Sequence, residues 1–224
     1  MRAAAPGVAR LLHIEASPRG SESFSARIAA AFVDEYRHSH PQDEVEQLRL
    51  FEHALPEFDA EAAAQKMQHI SLLMRGEPGV APVGKWAGVI TEIERLKAAD
   101  KVLISTPMWN FSLPYRLKHY LDVILQPGLT FYVNRRGEYV GKMGGKPLQL
   151  IIASGSAYAP GFPRADGGTK TDFLQAYLEH VARWMDFGDI RVIRVQPTAH
   201  PVPGEVTALL QGRIEEARAA ARSF

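Results

Sequence analysis

Five short runs rich in Val, Ile or Leu, alternating with segments of helical spacing, constrain this chain more than any other feature. They fall at residues 11–16, 45–50, 102–106, 148–153 and 190–195, bounded by polar or glycine-containing stretches, and they read as strands. Apolar stripes at helical spacing lie between them. Phe24, Ile28, Ala31, Phe32 and Tyr36 form one after the first strand, and Trp86, Val89, Ile90, Ile93 and Leu96 form one before the third. Leu117, Tyr120, Leu121 and Ile124 follow the third strand, Leu174, Tyr177, Leu178, Val181 and Met185 the fourth, and residues 205–222 read as a closing helix. Such alternation demands a parallel sheet between two helical layers, because parallel neighbours need long crossovers and those crossovers are right-handed. The expected architecture is α/β: a doubly wound five-stranded parallel sheet, order 2-1-3-4-5, in three α/β/α layers, built as a single domain over residues 1–224.

Two stretches exceed the minimal strand–helix unit and are expected as insertions. Residues 51–85 hold a probable helix near 61–74 and the Gly/Pro-rich piece GEPGVAPVG, a surface loop. Residues 130–146 read as a β-excursion, FYV and EYV about an NRRG turn, placed before the fourth strand.

Composition removes several function classes. With 224 residues, 46% of them hydrophobic, the chain can bury a large core without disulfides or metal. The absence of cysteine excludes a thiol nucleophile, a thiolate zinc site and the usual iron–sulfur ligation. A formal charge of +1 lacks the basic excess of a nucleic-acid binder, so no nucleic-acid partner is expected. The opening MRAAAPGVARLLHIEAS is too short and too broken by Pro6, Gly7 and Arg10 for a signal peptide or a membrane span. The chain is therefore expected to be soluble, unprocessed and cytoplasmic, with no membrane partner.

In a sheet of this order, ligands bind beyond the carboxyl ends of the strands where the winding reverses, between strands one and three. That selects the loops at residues 17–25, 107–113 and 154–160. The first, SPRGSESFS, leads into a helix and offers Ser17, Ser21, Ser23 and Ser25 with a cation at Arg19. A helix start leaves backbone N–H groups unpaired and carries partial positive charge, which suits a phosphate. GxxxxGK[ST] and GxGxxG are both missing, so a monophosphate is favoured over a triphosphate or pyrophosphate. Equally, Ser23 could simply cap the helix, and Arg19 could be a solvated charge. The second loop, TPMWNFSLPYRLK, carries Pro107, Met108, Trp109, Asn110 and Phe111, with Ser112 as a helix cap and Pro114 in the first turn. Polarizable and aromatic surface with one amide fits a flat heteroaromatic ring, although aromatics at a strand end can also be core. The third, ASGSAYAPG, supplies small residues that permit close backbone approach.

A monophosphate cradle beside a flat-ring site describes a flavin mononucleotide pocket. On LxxxxSPRGxxSxS, PMWNFxxPxxLKxYxD, the following PGLTF and a strand-four end of SGS type, the sequence resembles the FMN-dependent NADH azoreductases, which also reduce quinones. The likeness runs from about Val8 to Val195 and implies a flavodoxin-like homodimer with one FMN per subunit near the dimer interface. It implies phosphate and ribityl contacts from Ser17, Ser23, Phe24 and Ser25, with Arg19 beside them. The ring would rest on Pro107, Met108, Trp109, Asn110 and Phe111, and on Ser154, Gly155, Ser156 and Ala157. Trp109 stands where the family usually has tyrosine, and SGSA replaces a loop in which a charged residue and paired glycines are common.

The resemblance implies a ping-pong cycle in which NADH or NADPH reduces the flavin and leaves, and a quinone or azo compound then takes two electrons in the vacated place. Asn110 is assigned to the O4/N5 side of the ring as its positioning residue, and backbone N–H groups near Gly155 to the N1/O2 side. Phe111, Phe131, Tyr158 and Phe162 are candidate walls of the substrate slot, Phe131 and Phe162 being equally able to pack against a partner subunit. No side-chain acid stands out: His13 lies within a strand, His119 and His180 on helices, and His38, His40, His53, His69 and His200 read as structural or solvated; the HSH pair at His38 and His40 lacks a third ligand at useful spacing, so no metal site is expected. The alternatives are a flavodoxin-like electron carrier, for which the chain is insufficiently acidic, and a flavin-binding redox sensor.

Overall fold

The computed structural model describes residues 7–75, 81–158, 172–199 and 202–224. Five parallel strands, β1 (Arg10–Glu15), β2 (Glu44–Arg49), β3 (Lys101–Pro107), β6 (Lys146–Ala153) and β7 (Phe187–Val195), form one sheet in the order β2-β1-β3-β6-β7. With the hairpin β4 (Phe131–Val133) and β5 (Tyr139–Gly141) set aside, this is the expected 2-1-3-4-5 doubly wound, flavodoxin-like order. The helices are α1 (Phe24–Ser39), α2 (Ala60–Met74), α3 (Gly84–Ala98), α4 (Tyr115–Ile124), α5 (Phe173–Trp184) and α6 (Pro203–Arg222).

Successive strand residues point to opposite faces, and here they sort into two cores. Leu12, Ile14, Val102, Ile104, Leu148, Leu150 and Ile152 pack with α3, α4 and α5 through Trp86, Ile93, Leu117, Leu121 and Leu178. Leu11, Leu103, Ile151 and Ile193 pack with α1 and α6 through Ile28, Phe32, Tyr36, Leu210 and Ala217. A buried parallel sheet needs apolar residues on both faces, which is why its strands read as continuous rather than alternating runs. The two edge strands depart from this: only Leu48 is buried on β2, and β7 carries Asp189, Arg191 and Arg194 among its apolar residues.

The hairpin pairs Phe131 with Gly141 and Val133 with Tyr139, as the FYV/EYV reading expects. It is fastened at the amino ends of β6 and β7, where Met143 N–H donates to Met185 O (2.9 Å) and Gly145 N–H to Asp186 O (2.8 Å). One local expectation is corrected. Ser112 does not cap α4, whose flanking residue is Pro114; Ser112 instead closes a tight turn with Trp109 through two backbone bonds of 2.9 Å.

Candidate functional site at the carboxyl edge of the sheet

The register brings the three loops to one rim. Glu15 of β1 is level with Ser105 of β3, and Pro107 of β3 with Ala153 of β6. The chain stays laced just beyond the strands: Ala16 N–H donates to Ser105 O (2.8 Å) and Met108 N–H to Ala153 O (2.7 Å).

The first loop runs through a short 3₁₀ turn (Gly20–Glu22) into α1. Ser23 sits at the capping position of α1, yet its side chain makes no capping bond; Ser23 Oγ and Ser25 Oγ pair with each other at 3.1 Å, both buried. The N–H groups of Phe24, Ser25 and Ala26 meet no acceptor among the described residues, and the first helical bond is Arg27 N–H to Ser23 O (2.9 Å). The cap-only reading of Ser23 therefore fails, and the helix end is left with its positive partial charge and donors unspent. Ser17 is buried, with its Oγ 3.4 Å from the Arg19 N–H, Arg19 is exposed, and Phe24 packs its ring against the α1–α6 core.

The second loop is a two-residue reversal. Trp109 and Ser112 exchange backbone bonds while Asn110 and Phe111 stand at φ +47° and +70°. Two consecutive positive φ values define a type I′ turn, whose second position is normally glycine. Asparagine accepts this conformation readily; phenylalanine does so under strain. The turn thrusts Asn110 and Phe111 out of the sheet edge, both exposed, while Met108 and Trp109 are half-buried behind them. Trp109 lies 5.7 Å from Phe51 and 6.3 Å from Tyr115, centroid to centroid. Phe51 and Tyr115 thus extend the aromatic wall. Arg116 anchors that extension, its Nε donating to Leu50 O (2.8 Å) and its Nη2 to His53 O.

In the third loop Ser154 is buried, Gly155 and Ser156 are exposed, and Ala157 and Tyr158 are half-buried. The N–H groups of Gly155, Ser156 and Ala157 bond nothing among the described residues. The Ser154 hydroxyl is turned inward, 2.8 Å from Ser156 O and 3.0 Å from Gln196 Oε1. Among the described residues a Cβ on Gly155 would meet only Ala199 Cβ at 3.4 Å, so their packing does not require glycine there.

Of the candidate slot residues, Phe111 and Tyr158 meet edge to face at 6.5 Å. Phe131 lies elsewhere, on the hairpin, with Tyr139 at 6.2 Å and Trp184 at 5.7 Å. Phe162 and His200 lie outside the described residues. Behind the rim, His13 is buried with Nε2 2.9 Å from Ser105 Oγ, and burial together with the nearby Arg49 and Arg37 pushes its pKa down to about 4. Burial raises the Glu15 carboxyl above its ordinary range, against the opposing pull of Arg49 and of the Gln47 amide, which donates to it at 3.0 Å. Neither side chain emerged from the sequence as more than a strand residue, because a β1 run that is otherwise apolar gives no sign of which face is polar.

Three comparisons bear on this rim. A family model described as flavodoxin-like fold matches residues 9–221. The FMN-dependent NADH:quinone oxidoreductase of Nitratidesulfovibrio vulgaris strain Hildenborough is 41% identical over 218 residues, covering 97% of this chain and 100% of the relative. The protein of the same name from Desulfotalea psychrophila is 36% identical over 208 residues, 93% of this chain and 94% of its own. Among solved structures, an FMN-dependent NADH-azoreductase from Bacillus anthracis, crystallised in complex with FMN, superposes with a TM-score of 0.79 at 25% identity over 96% of this chain and 98% of that one.

Proposed function

Because the chain belongs to the flavodoxin-like fold family, with the FMN-dependent NADH:quinone oxidoreductases it matches over nearly its whole length, we propose that it is itself an FMN-dependent oxidoreductase that uses NADH or NADPH to reduce quinones and azo compounds. The observation that carries the reading is the start of α1, where three N–H groups and a pair of buried serine hydroxyls remain uncommitted to the helix. Such a donor set suits one dianionic phosphate, and the sequence holds no GxGxxG motif for a pyrophosphate. The residues present therefore fit FMN, which when bound supplies two-electron transfer between the nicotinamide donor and the acceptor.

Ser17, Ser23, Phe24 and Ser25 hold the phosphate and ribityl chain, and Arg19 adds a screened attraction from the surface. Pro107 stiffens the second loop, Met108 and Trp109 form the wall for the ring, and the Asn110 amide is presented at its O4/N5 edge. Gly155, Ser156 and Ala157 offer backbone donors to the N1/O2 edge, where preorganised N–H groups favour negative charge. Phe111 and Tyr158 bound the slot for flat substrates. No side-chain acid is needed, since water can protonate a reduced quinone.

The reading extends to a homodimer, supported by apolar surface at the rim: Phe111 is 54% exposed, Tyr115 67% and Phe173 58%. The whole chain acts as one domain, with 51–85 and 130–146 as insertions, and works in the cytoplasm; no helix among the described residues is long and apolar enough to cross a membrane. The test is a visible spectrum of purified protein before and after anaerobic NADH, followed by quinone-dependent NADH consumption. A flavin band that bleaches and continuous turnover are expected. A protein that takes up no FMN when offered it, or is reduced without turning over, refutes the reading.

A further inference from the structure

Gln196, the residue just beyond β7, has one atom that spans the third loop. Its Oε1 lies 3.0 Å from the Ser154 hydroxyl at one end of the turn and accepts the Tyr158 N–H at 3.3 Å from the other end. The backbone reinforces the grip: Thr198 N–H donates to Ser154 O and Ala199 N–H to Gly155 O, each at 3.0 Å. Between the clamped ends stand the three N–H groups of residues 155–157, which bond nothing among the described residues.

That oxygen is itself held in place. Arg194 Nη1 donates to it at 3.0 Å, Arg194 Nε donates to Gln175 Oε1 at 2.6 Å, and Arg194 Nη2 pairs with the Asp172 carboxylate. Asp172 also caps α5, accepting from the Leu174 and Gln175 N–H groups at 2.8 Å each. Arg194 and Asp172 are largely buried, with side-chain exposures of 24% and 12%. A planar guanidinium that fills three directions at once fixes its partners as a flexible ammonium would not. Its charge is neutralised by Asp172, so what it contributes at the rim is geometry rather than field.

We propose that Gln196, fastened by Arg194 and Asp172, is a positioning residue that sets the 154–158 turn so that its three free N–H groups face the pyrimidine edge of the flavin. The inference rests on the reading that this rim holds FMN. Donors aimed at N1/O2 interact more strongly with the reduced ring, which carries more negative charge there, than with the oxidised one. Loosening the turn therefore weakens the reduced state more than the oxidised state.

The experiment compares wild type with Gln196→Leu and Gln196→Glu in FMN-loaded protein, measuring affinity for oxidised FMN, the visible band shape, the midpoint potential and the melting temperature. Gln196→Leu is expected to weaken oxidised FMN a few-fold and reduced FMN about tenfold more, which lowers a two-electron midpoint by about 30 mV. Gln196→Glu, which keeps an acceptor oxygen at the same reach, retains the band shape and oxidised-FMN affinity of wild type. Should Gln196→Leu not fold, Arg194→Lys carries the same expectation, since it removes the fork that holds the amide. A Gln196→Leu protein with wild-type potential and spectrum but a lower melting temperature overturns the proposal, as does a Gln196→Glu protein as impaired as Gln196→Leu. Wild-type protein that takes up no FMN refutes the flavin reading itself, and the proposal with it.

Discussion

Replacing Phe111 by glycine and, separately, by alanine tests whether the second loop is built on backbone strain. Phe111 sits at φ +70° with 54% of its surface exposed. Both substitutions delete the ring, so the lost burial cancels in the comparison and the backbone remains. For a residue with a Cβ the left-handed region costs roughly 1–2 kcal/mol, a cost that alanine keeps and glycine removes. Glycine in turn gives up roughly 0.5–1 kcal/mol of unfolded-state entropy. The first effect wins: Phe111→Gly should be more stable than Phe111→Ala by about 0.7 kcal/mol, the reverse of their usual order. For a chain of this length that separates the two melting curves by about 2 °C. The measurement is thermal and urea denaturation of both apo variants, the urea slopes being required to agree. An alanine variant as stable as the glycine variant, or more so, refutes the strained turn. If Phe111 also walls the substrate slot, the two variants share a rise in quinone KM of about two- to tenfold, the worth of one aromatic contact.

Asn110→Gly keeps the positive φ of the turn while deleting the amide; FMN should stay bound while NADH reduces it at least tenfold more slowly, and an unchanged rate in stopped flow removes Asn110 from the mechanism. Ser23→Ala with Ser25→Ala should weaken FMN binding by tenfold or more, since each hydrogen bond to a charged group contributes roughly 1.5–3 kcal/mol; an unaltered dissociation constant from flavin fluorescence would show the pair idle. His13 has a folded pKa of about 4 against an ordinary 6.5, so the unfolded chain binds the proton first and stability present above pH 6.5 is lost by about 3 kcal/mol as pH falls to 4. Glu15, shifted upward, works with the opposite sign, losing stability as pH rises from the ordinary carboxylate range through its raised pKa. His13→Gln should flatten the fall between pH 7 and pH 4.5 in urea melts, and a variant with the wild-type slope would dissociate His13 from it.

Why the fold was legible and part of the site was not follows from how far each signal reaches along the chain. A strand buried on both faces is apolar at most positions, and a crossover helix must show one stripe, so about ten residues suffice to reveal either; right-handed crossovers then leave only a few strand orders. The loops were equally local, because a turn from one strand to its own helix keeps Ser17 near Ser25 and Met108 near Phe111. What sequence could not show was anything joining separate turns. Ser112 looked like a cap because it precedes Pro114 in the chain, but the two positive φ values at Asn110 and Phe111 turn it back to Trp109. Ser154 was readable as the end of a strand, but nothing near it announced that its hydroxyl meets Gln196, 42 residues on. Phe131 was readable only as a candidate wall or a partner-subunit contact, and nothing in its spacing announced the hairpin contact with Trp184. The Ser112 turn is set by local backbone conformation, whereas the distant pairings are set by which elements lie side by side: β6 beside β7 brings residues 154 and 196 together without leaving any trace in the spacing of either. The residues most exposed to such error are those that hold a ligand-binding turn from behind. Gln196 and Arg194 are of that kind, and they are where substitution should alter a bound flavin without touching it.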